Sequence, residues 1–505
     1  MNGESAKRRR PKILPPIRVE GDRGLHGGAT MPYGLLATAE VERLIAAACE
    51  LLSDSGCGFE PGTEAIEILR DGGCDVSADG VVRFDPTLIR RVLAATPKSV
   101  RLWDRDGHRH LDLDARHTWF IPGMTCIKVY DGDGGRRDST GADLATITRL
   151  ADALPNIDAV CIACKDVPRS DMDGEINEFA ILARNTVKPL EYLCEHSESL
   201  EVVIEMAASL RGSRAALAEK PYFLQIVTPL PLGYWRDHVE QIVLAARAGV
   251  PVSVGTIPIG GASSPITMPA AIVNSLATDF AGMALAQLAR PGAFVIGSSD
   301  VSFMEPATGG IGNFSHASLA DMAMHQIRRH LGLPSFTGFA GQSAARRFNQ
   351  DAVWEISASM MQAFYSRPAT LDYLGSLDEG ITFSMHALCL CDDLAGLLRG
   401  LWHGIRVDDE SIALDLMRSV GARGNYLAQT HTAAHCRDPN WSSRYFGPHL
   451  PLSTGTLPDV DLVERIGVDL DRLLGTHESP ALPAAASETL AEIQATATRT
   501  RASNH

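Results

Sequence analysis

Short apolar runs rich in β-branched and aromatic residues recur between Trp119 and about Gly380, and each is followed by a stretch of helix length. The runs begin near Trp119, Ile157, Pro189, Tyr222, Val250, Ala293, Ser335 and Thr370. That spacing, roughly 30–45 residues, is the length of one strand–helix unit. Eight such units predict an α/β chain folded as a (β/α)8 TIM barrel, whose chemistry sits on the loops after the strands. Ahead of the barrel, Val41, Leu44, Ile45, Ala48, Leu51 and Leu52 fall at helical spacing, and a second helix is expected over 62–72. Residues 74–84 read as a hairpin turning at Ala78-Asp79-Gly80, and Pro86 after Asp85 starts a helix to Ala95. Inside the barrel, Asp138-Ser139-Thr140 precede a helix over 144–154. Ser197 starts one through Leu210, and Ser366-Arg367-Pro368 closes one that begins near Gln350. Past Gly380 the pattern is helical: 388–402, 408–421 and 462–474, then an Ala/Ser/Thr-rich end expected to fray. The chain thus divides into a flexible arm (1–30), a small N-terminal helical and hairpin domain (31–117), the barrel (118–381) and a helical C-terminal extension with a frayed tail (382–505).

Composition narrows the function. A formal net charge of −15 argues against a nucleic-acid binder, which needs a basic surface. The one strong basic run, Lys7 to Arg10, lies in the Pro-flanked arm and reads as a solvated tail. No run of about 20 apolar residues predicts a membrane span, and no apolar segment follows the N-terminal charges as a secretory signal requires. The ten cysteines are scattered and several sit in apolar runs, so they are expected to be reduced thiols of a cytoplasmic protein.

The strand ends list the candidate chemistry. Lys165 follows the second strand, and Glu195 and His196 follow the third. Tyr234 and Trp235 lie beyond the fourth, Asp300 and Phe303 beyond the sixth, Phe339 at the seventh, and Asp378 and Glu379 at the eighth. Several aromatics on one mouth suit a cation held against ring faces. Each residue also has a plainer role: a helix cap for the Glu195-His196 pair or Asp300, an acidic turn for Asp378-Glu379, packing for the aromatics. No metal site is expected. Cys161 and Cys164 would point to opposite faces of a strand, and of His431 and His435, four apart, the first is followed by Thr432 where a zinc protease carries Glu. Gly260-Gly261 matches no nucleotide-binding fingerprint, and no G-x-S-x-G occurs.

Gly260-Gly261-Ala262-Ser263-Ser264-Pro265-Ile266-Thr267, then Gln287-Leu288-Ala289-Arg290-Pro291-Gly292, resemble segments of the trimethylamine methyltransferase family. Asp152 to Ile157, Thr308-Gly309 and Gly424-Asn425-Tyr426-Leu427 leading to His431, His435 and Arg437 resemble it in the same order, over most of 30–450. The resemblance implies a barrel that moves an N-methyl group from a small quaternary amine, such as a betaine, to the cobalt of a corrinoid on a separate partner protein. It also implies self-association. Glu195, His196, Asp300 and Asp378 would then be the catalytic candidates, and Tyr234, Trp235, Phe303, Phe339, Arg346 and Glu379 the substrate-binding ones. A carboxylate such as Asp378, Glu195 or Asp300 would hold the cation, and Arg346, Arg347 or His196 could pair with a substrate carboxylate. Family members that use trimethylamine carry pyrrolysine, and this chain has none; its seventh loop reads Ser343-Ala344-Ala345-Arg346-Arg347. That departure implies a different substrate. A barrel lyase, a metal-assisted hydrolase or a non-catalytic cation-binding protein are the competing readings.

Overall fold

The computed structural model describes residues 33–130, 135–311, 314–338, 340–436, 443–446 and 461–504. The arm over 1–30, Phe339 and most of 439–452 lie outside the described residues. A parallel strand has helices on one side and lumen on the other, so it reads as a continuous apolar run. Trp119–Pro122, Phe223–Val227, Val252–Val254 and Val295–Gly297 are accordingly buried at every position. Leu190–Leu193, Phe223–Val227, Val252–Val254 and Val295–Gly297 pair in parallel in that order. Phe336–Thr337 pairs with Thr370–Leu374, which pairs with Trp119–Pro122, so the eighth strand meets the first. The fold is a (β/α)8 TIM barrel.

Two joints in the ring include a side-chain bond. At the second position, where Val160 forms a bridge to Leu190, the Asp158 carboxylate accepts the Phe120 N–H of the first strand at 2.9 Å. Between the sixth and seventh strands, Asp300 Oδ2 accepts the Gly338 N–H at 2.9 Å. Cys161 fills the lumen with Ile121, Leu224, Ile226 and Ile296, whereas Cys164 packs outward with the helices, as strand alternation requires. All ten cysteines are unpaired.

The hairpin Val100–Trp103 and His110–Leu113 did not stand out in the sequence, where the charged stretch Asp104 to Arg109 interrupts its alternation. It closes the bottom of the barrel: Leu102 and Leu113 join Trp119, Phe294 and Phe336 in the lumen cluster, and the Trp103 N–H donates to the Pro221 carbonyl at 2.8 Å. The helices Thr38–Asp54, Glu64–Asp71 and Pro86–Ala95 match the expected positions and pack on the helix Met268–Ala289. That 22-residue helix is apolar nearly all round because it is covered on one side by strands and on the other by these N-terminal elements.

Two expectations at the C-terminal end are corrected. The helix expected over 408–421 is split into Asp409–Ile412 and Leu414–Val420 by Ala413 at φ +50°. Neither piece has a buried residue, so no packing face holds one continuous helix. The tail expected to fray is a helix, Ala484–Asn504, lying on the helices Met172–Asn185 and Ser197–Arg211. Alanine-rich sequence favours helix, and buried Leu490 with Ile493 and Ala497 supplies the packing stripe. Among the described residues no helix is long and apolar enough to cross a membrane.

The helix Met385–His403 is tied to the barrel by a buried ion pair. Arg399 Nη2 lies 2.6 Å from Asp158 Oδ2, and the guanidinium covers the Phe120 ring at 5.1 Å. Arg399→Met strands the Asp158 carboxylate, so urea unfolding should show a loss of about 3–5 kcal/mol. Adding Asp158→Asn should recover part of that loss, read as a coupling in a double-mutant cycle.

Candidate active site

The carboxyl ends of the strands carry three polar groups. In the first, Lys165 Nζ sits 3.2 Å from Glu178 Oε2 and 3.5 Å from Glu195 Oε1. His196 Nδ1 lies 2.9 Å from Glu175 Oε1, which also accepts the Glu195 N–H at 3.1 Å. Glu175 and Glu178 are one turn apart on the helix Met172–Asn185, so one helix face orients both strand-end partners. Burial pulls the Lys165 amine down, but Glu178, Glu195 and Glu175 outweigh it and the net direction is up. Glu195 itself points to solvent, its side chain 62 % exposed.

The second group is the turn Asp378-Glu379, with φ values of +53° and +58°. It joins the short strands Ser376–Leu377 and Thr382–Phe383, which form a four-stranded sheet with Lys128–Tyr130 and Arg136–Asp138. Asp378 is ion-paired with Arg136 and, at 3.3 Å, with Arg346. Two guanidiniums therefore already neutralise it, against the expectation of a free cation-holding carboxylate.

The third group is buried. Burial, then the neighbouring Asp321 carboxyl, pushes Asp300 well above the carboxylate range. Burial also raises Asp321, yet His325, 3.5 Å away, together with Asp300 and Thr337 brings it below its ordinary value. The two neighbouring carboxyls are thus shifted in opposite directions, Asp300 up and Asp321 down. Behind them Arg328 Nη2 bonds Asp279 Oδ2 at 2.9 Å and the Ser299 carbonyl at 2.6 Å.

Beneath the mouth lie two acids absent from the strand-end candidates. Glu191 and Asp372 stand on the third and eighth strands, 1 % and 3 % exposed. Neither Glu191 oxygen has a protein hydrogen-bond partner, nor has Asp372 Oδ1. Leu190 and Tyr192 pack outward, which turns Glu191 inward. On the eighth strand the register shifts between Leu371 and Leu374, both of which pack outward, so the two residues between them, Asp372 and Tyr373, both face the lumen. Burial raises Asp372 to about 8 and Glu191 well above its ordinary value, where Asp372 adds to the effect. Gly338 makes room for this wall: a Cβ there would lie 2.8 Å from both Tyr373 Cε2 and Asp300 Oδ2.

Among the described residues the expected aromatic cage does not assemble. Tyr234 is buried outside the barrel, stacked on Phe59 at 4.9 Å, with its hydroxyl donating to the Thr278 carbonyl at 2.7 Å. Its strand Gly233–Tyr234 pairs with Cys57–Phe59, so docking of the N-terminal elements claims it. Trp235 caps the next helix and is 58 % exposed. Phe303 is buried over Gly260, where a Cβ would meet its ring at 2.5 Å. Among the described residues no group of three or more His, Cys, Asp or Glu is arranged to hold a metal ion.

Residues 16–502 match the trimethylamine methyltransferase (MTTB) family. The chain belongs to this methyltransferase family. The trimethylamine methyltransferase MttB of Methanosarcina barkeri is 28% identical over 425 residues, 82% of this chain and 84% of that one. The glycine betaine methyltransferase of Desulfitobacterium hafniense is 24% identical over 466 residues, covering 90% and 95%. The solved monomethylamine methyltransferase MtmB of Methanosarcina barkeri aligns over 86% of this chain and 93% of its own, at 13% identity and a TM-score of 0.45.

In this family member the acids missed at first carried a visible signal. Glu191 interrupts Leu190-Glu191-Tyr192-Leu193 and Asp372 interrupts Thr370-Leu371-Asp372-Tyr373-Leu374, each a charge inside a buried run. The raised Asp372 carboxyl has a consequence for stability. Below about pH 4 both folded and unfolded chains keep its proton. Between there and about 8 only the folded chain keeps it, so stability falls as pH rises and levels off above. The slope is about 1.4 kcal/mol per pH unit per proton held. Urea titrations from acid to neutral pH should show a shallower fall for Asp372→Asn than for the parent.

Proposed function

We propose that this chain transfers a methyl group from a quaternary, betaine-like amine to the cobalt of a corrinoid borne by a partner protein. The observation that carries the reading is an acidic lumen framed by an apolar rim. Ile127, Leu230, Ile257, Ile311 and Ile381, on the loops after strands one, four, five, six and eight, are each 41–53 % exposed. Aliphatic side chains at a barrel mouth lose water when a protein face covers them, which suits a docking partner. The docked Co(I) corrinoid supplies the nucleophile, so this chain's task is to hold, orient and dehydrate the methyl donor. A quaternary ammonium leaves as a neutral amine and needs no strong general acid, which fits a site without a triad. Asp300, Glu191 and Asp372 supply buried carboxyls, one of which ionises to balance the cation. The Asp378-paired Arg346, its side chain 77 % exposed, is available to a substrate carboxylate. Glu195 and His196, braced by Lys165 and Glu175, orient the substrate at the entrance. Self-association would cover Ile405, Val407 and Leu427, which are 90, 76 and 83 % exposed.

The test is loss of Co(I) corrinoid absorbance on mixing the protein, a candidate corrinoid protein and a panel of quaternary amines. Turnover with one of them is expected, and none with any overturns the reading. Ile257→Asp combined with Ile381→Asp should weaken the corrinoid protein's apparent affinity by about tenfold or more, since buried charge at an interface core is costly. The same variant should bind the amine as the parent does, measured by calorimetry.

A further inference from the structure

Glu191 and Asp372 are unusual even among buried acids. A buried carboxylate normally finds backbone N–H groups, a hydroxyl or a cation. Asp300 has the Gly338 N–H and Asp321, and Asp158 has Arg399. The lumen pair faces a different wall. Strands one, four, six and seven present Trp119, Ile121, Leu224, Ile226, Phe294, Ile296 and Phe336 to the lumen. The fifth presents Ser253, whose hydroxyl also lacks a protein partner. A metal ion would need a larger set of converging donors, and none is arranged among the described residues. What suits two acids above an aromatic and aliphatic floor is a cation that offers charge and methyl groups but no N–H to donate.

We propose that Glu191 and Asp372 form a cation-binding pair that takes the ammonium head of the substrate in exchange for one proton. The inference rests on the quaternary-amine reading and deepens it by naming the subsite and the exchange. The balance is simple. Without the cation both carboxyls keep their protons. On entry of the cation one O–H bond breaks, the proton leaves to solvent, and the resulting carboxylate and the ammonium neutralise each other. No bond to the substrate forms and no electrons move. The exchange keeps the lumen neutral before and after binding, which avoids the large cost of an uncompensated buried charge.

The groups that could compete for the proton are few. Cys161 on the second strand faces both acids, and burial, then Glu191 and Asp372, holds its thiol protonated. Tyr373 beside Asp372 is likewise pushed up, by burial and then by Asp300. The Thr370 hydroxyl lowers Asp372, while Asp321 on the helix Phe314–His330 raises it. Asp300 is raised by burial and then by Asp321, and Cys126 near Tyr373 is a buried thiol bonded to Ser376. The carboxyl pair is therefore the group that ionises when a fixed positive charge arrives.

Calorimetric titration of the full chain with tetramethylammonium and with glycine betaine, in buffers of different ionisation enthalpy, tests this. The expected result is an affinity rising about tenfold per unit from about pH 6 until it levels near about pH 8, with about one proton released per ligand on the acid side. Glu191→Gln combined with Asp372→Asn should abolish the release and weaken binding by about tenfold or more, with near-UV circular dichroism reporting that the fold is kept. Binding of either probe without pH dependence or proton release overturns the exchange and leaves the quaternary-amine reading standing; that measurement needs no variant. Parental affinity in the double variant overturns the subsite. If neither probe binds and no quaternary amine is demethylated, the broader reading and this one fall together.

Discussion

In a closed parallel barrel every strand side chain faces either the surrounding helices or the lumen, and away from the mouth neither is water. That constraint organises the molecule. It makes the strands apolar on both faces, calls for the Val100–Trp103 hairpin to close the bottom, and turns any acid on an inward position into a group that must be paired or protonated. Asp158 and Asp279 meet the demand with Arg399 and Arg328. Asp300 and Asp321 meet it with the Gly338 N–H, the Thr337 hydroxyl and His325. Glu191 and Asp372 meet it with protons alone, and so remain the acids most responsive to an incoming charge.

The same constraint separates two kinds of acid that look alike in a sequence. At the mouth, Glu195 and Asp378 are tied to Lys165, Arg136 and Arg346, and their charges are largely spoken for. Deeper in, the dielectric is low and counter-charges are scarce, so the field at a bound cation is stronger per charge. Methyl transfer from an ammonium to an electron-rich acceptor moves the positive charge off the nitrogen and onto the acceptor as it proceeds. An apolar chamber with a single balancing negative charge suits such a reaction better than a crowd of fixed carboxylates, which would bind the starting cation too well.

The barrel was legible because its signal is local and repeated: each strand announces itself by an apolar run, and helices such as Pro86–Ala95 carry their own start signals. Even the opposite facing of Cys161 and Cys164 follows from alternation alone. The site was less legible for three physical reasons. Tyr234 follows a strand like a mouth residue, but pairing of its strand with Cys57–Phe59, far away in sequence, claims it for packing. Asp372 and Tyr373 share the lumen only because the register shifts beside them. The Ala/Ser/Thr-rich end looks disordered by composition and becomes a helix because two barrel helices offer it a groove.

Closure also sets a timetable for synthesis. The Thr118 hydroxyl donates to the Pro368 carbonyl, a partner 250 residues further along. At roughly 5–20 residues per second on the ribosome, the first strand waits on the order of tens of seconds for its neighbour. Through that interval the growing sheet has an open edge at Trp119–Pro122, the kind of edge on which other chains assemble. The N-terminal helices emerge first but rest on Met268–Ala289, so they too stay unseated until the second half of the barrel is made. Late closure makes this a chain whose yield in a cell depends on how well its nascent half is shielded.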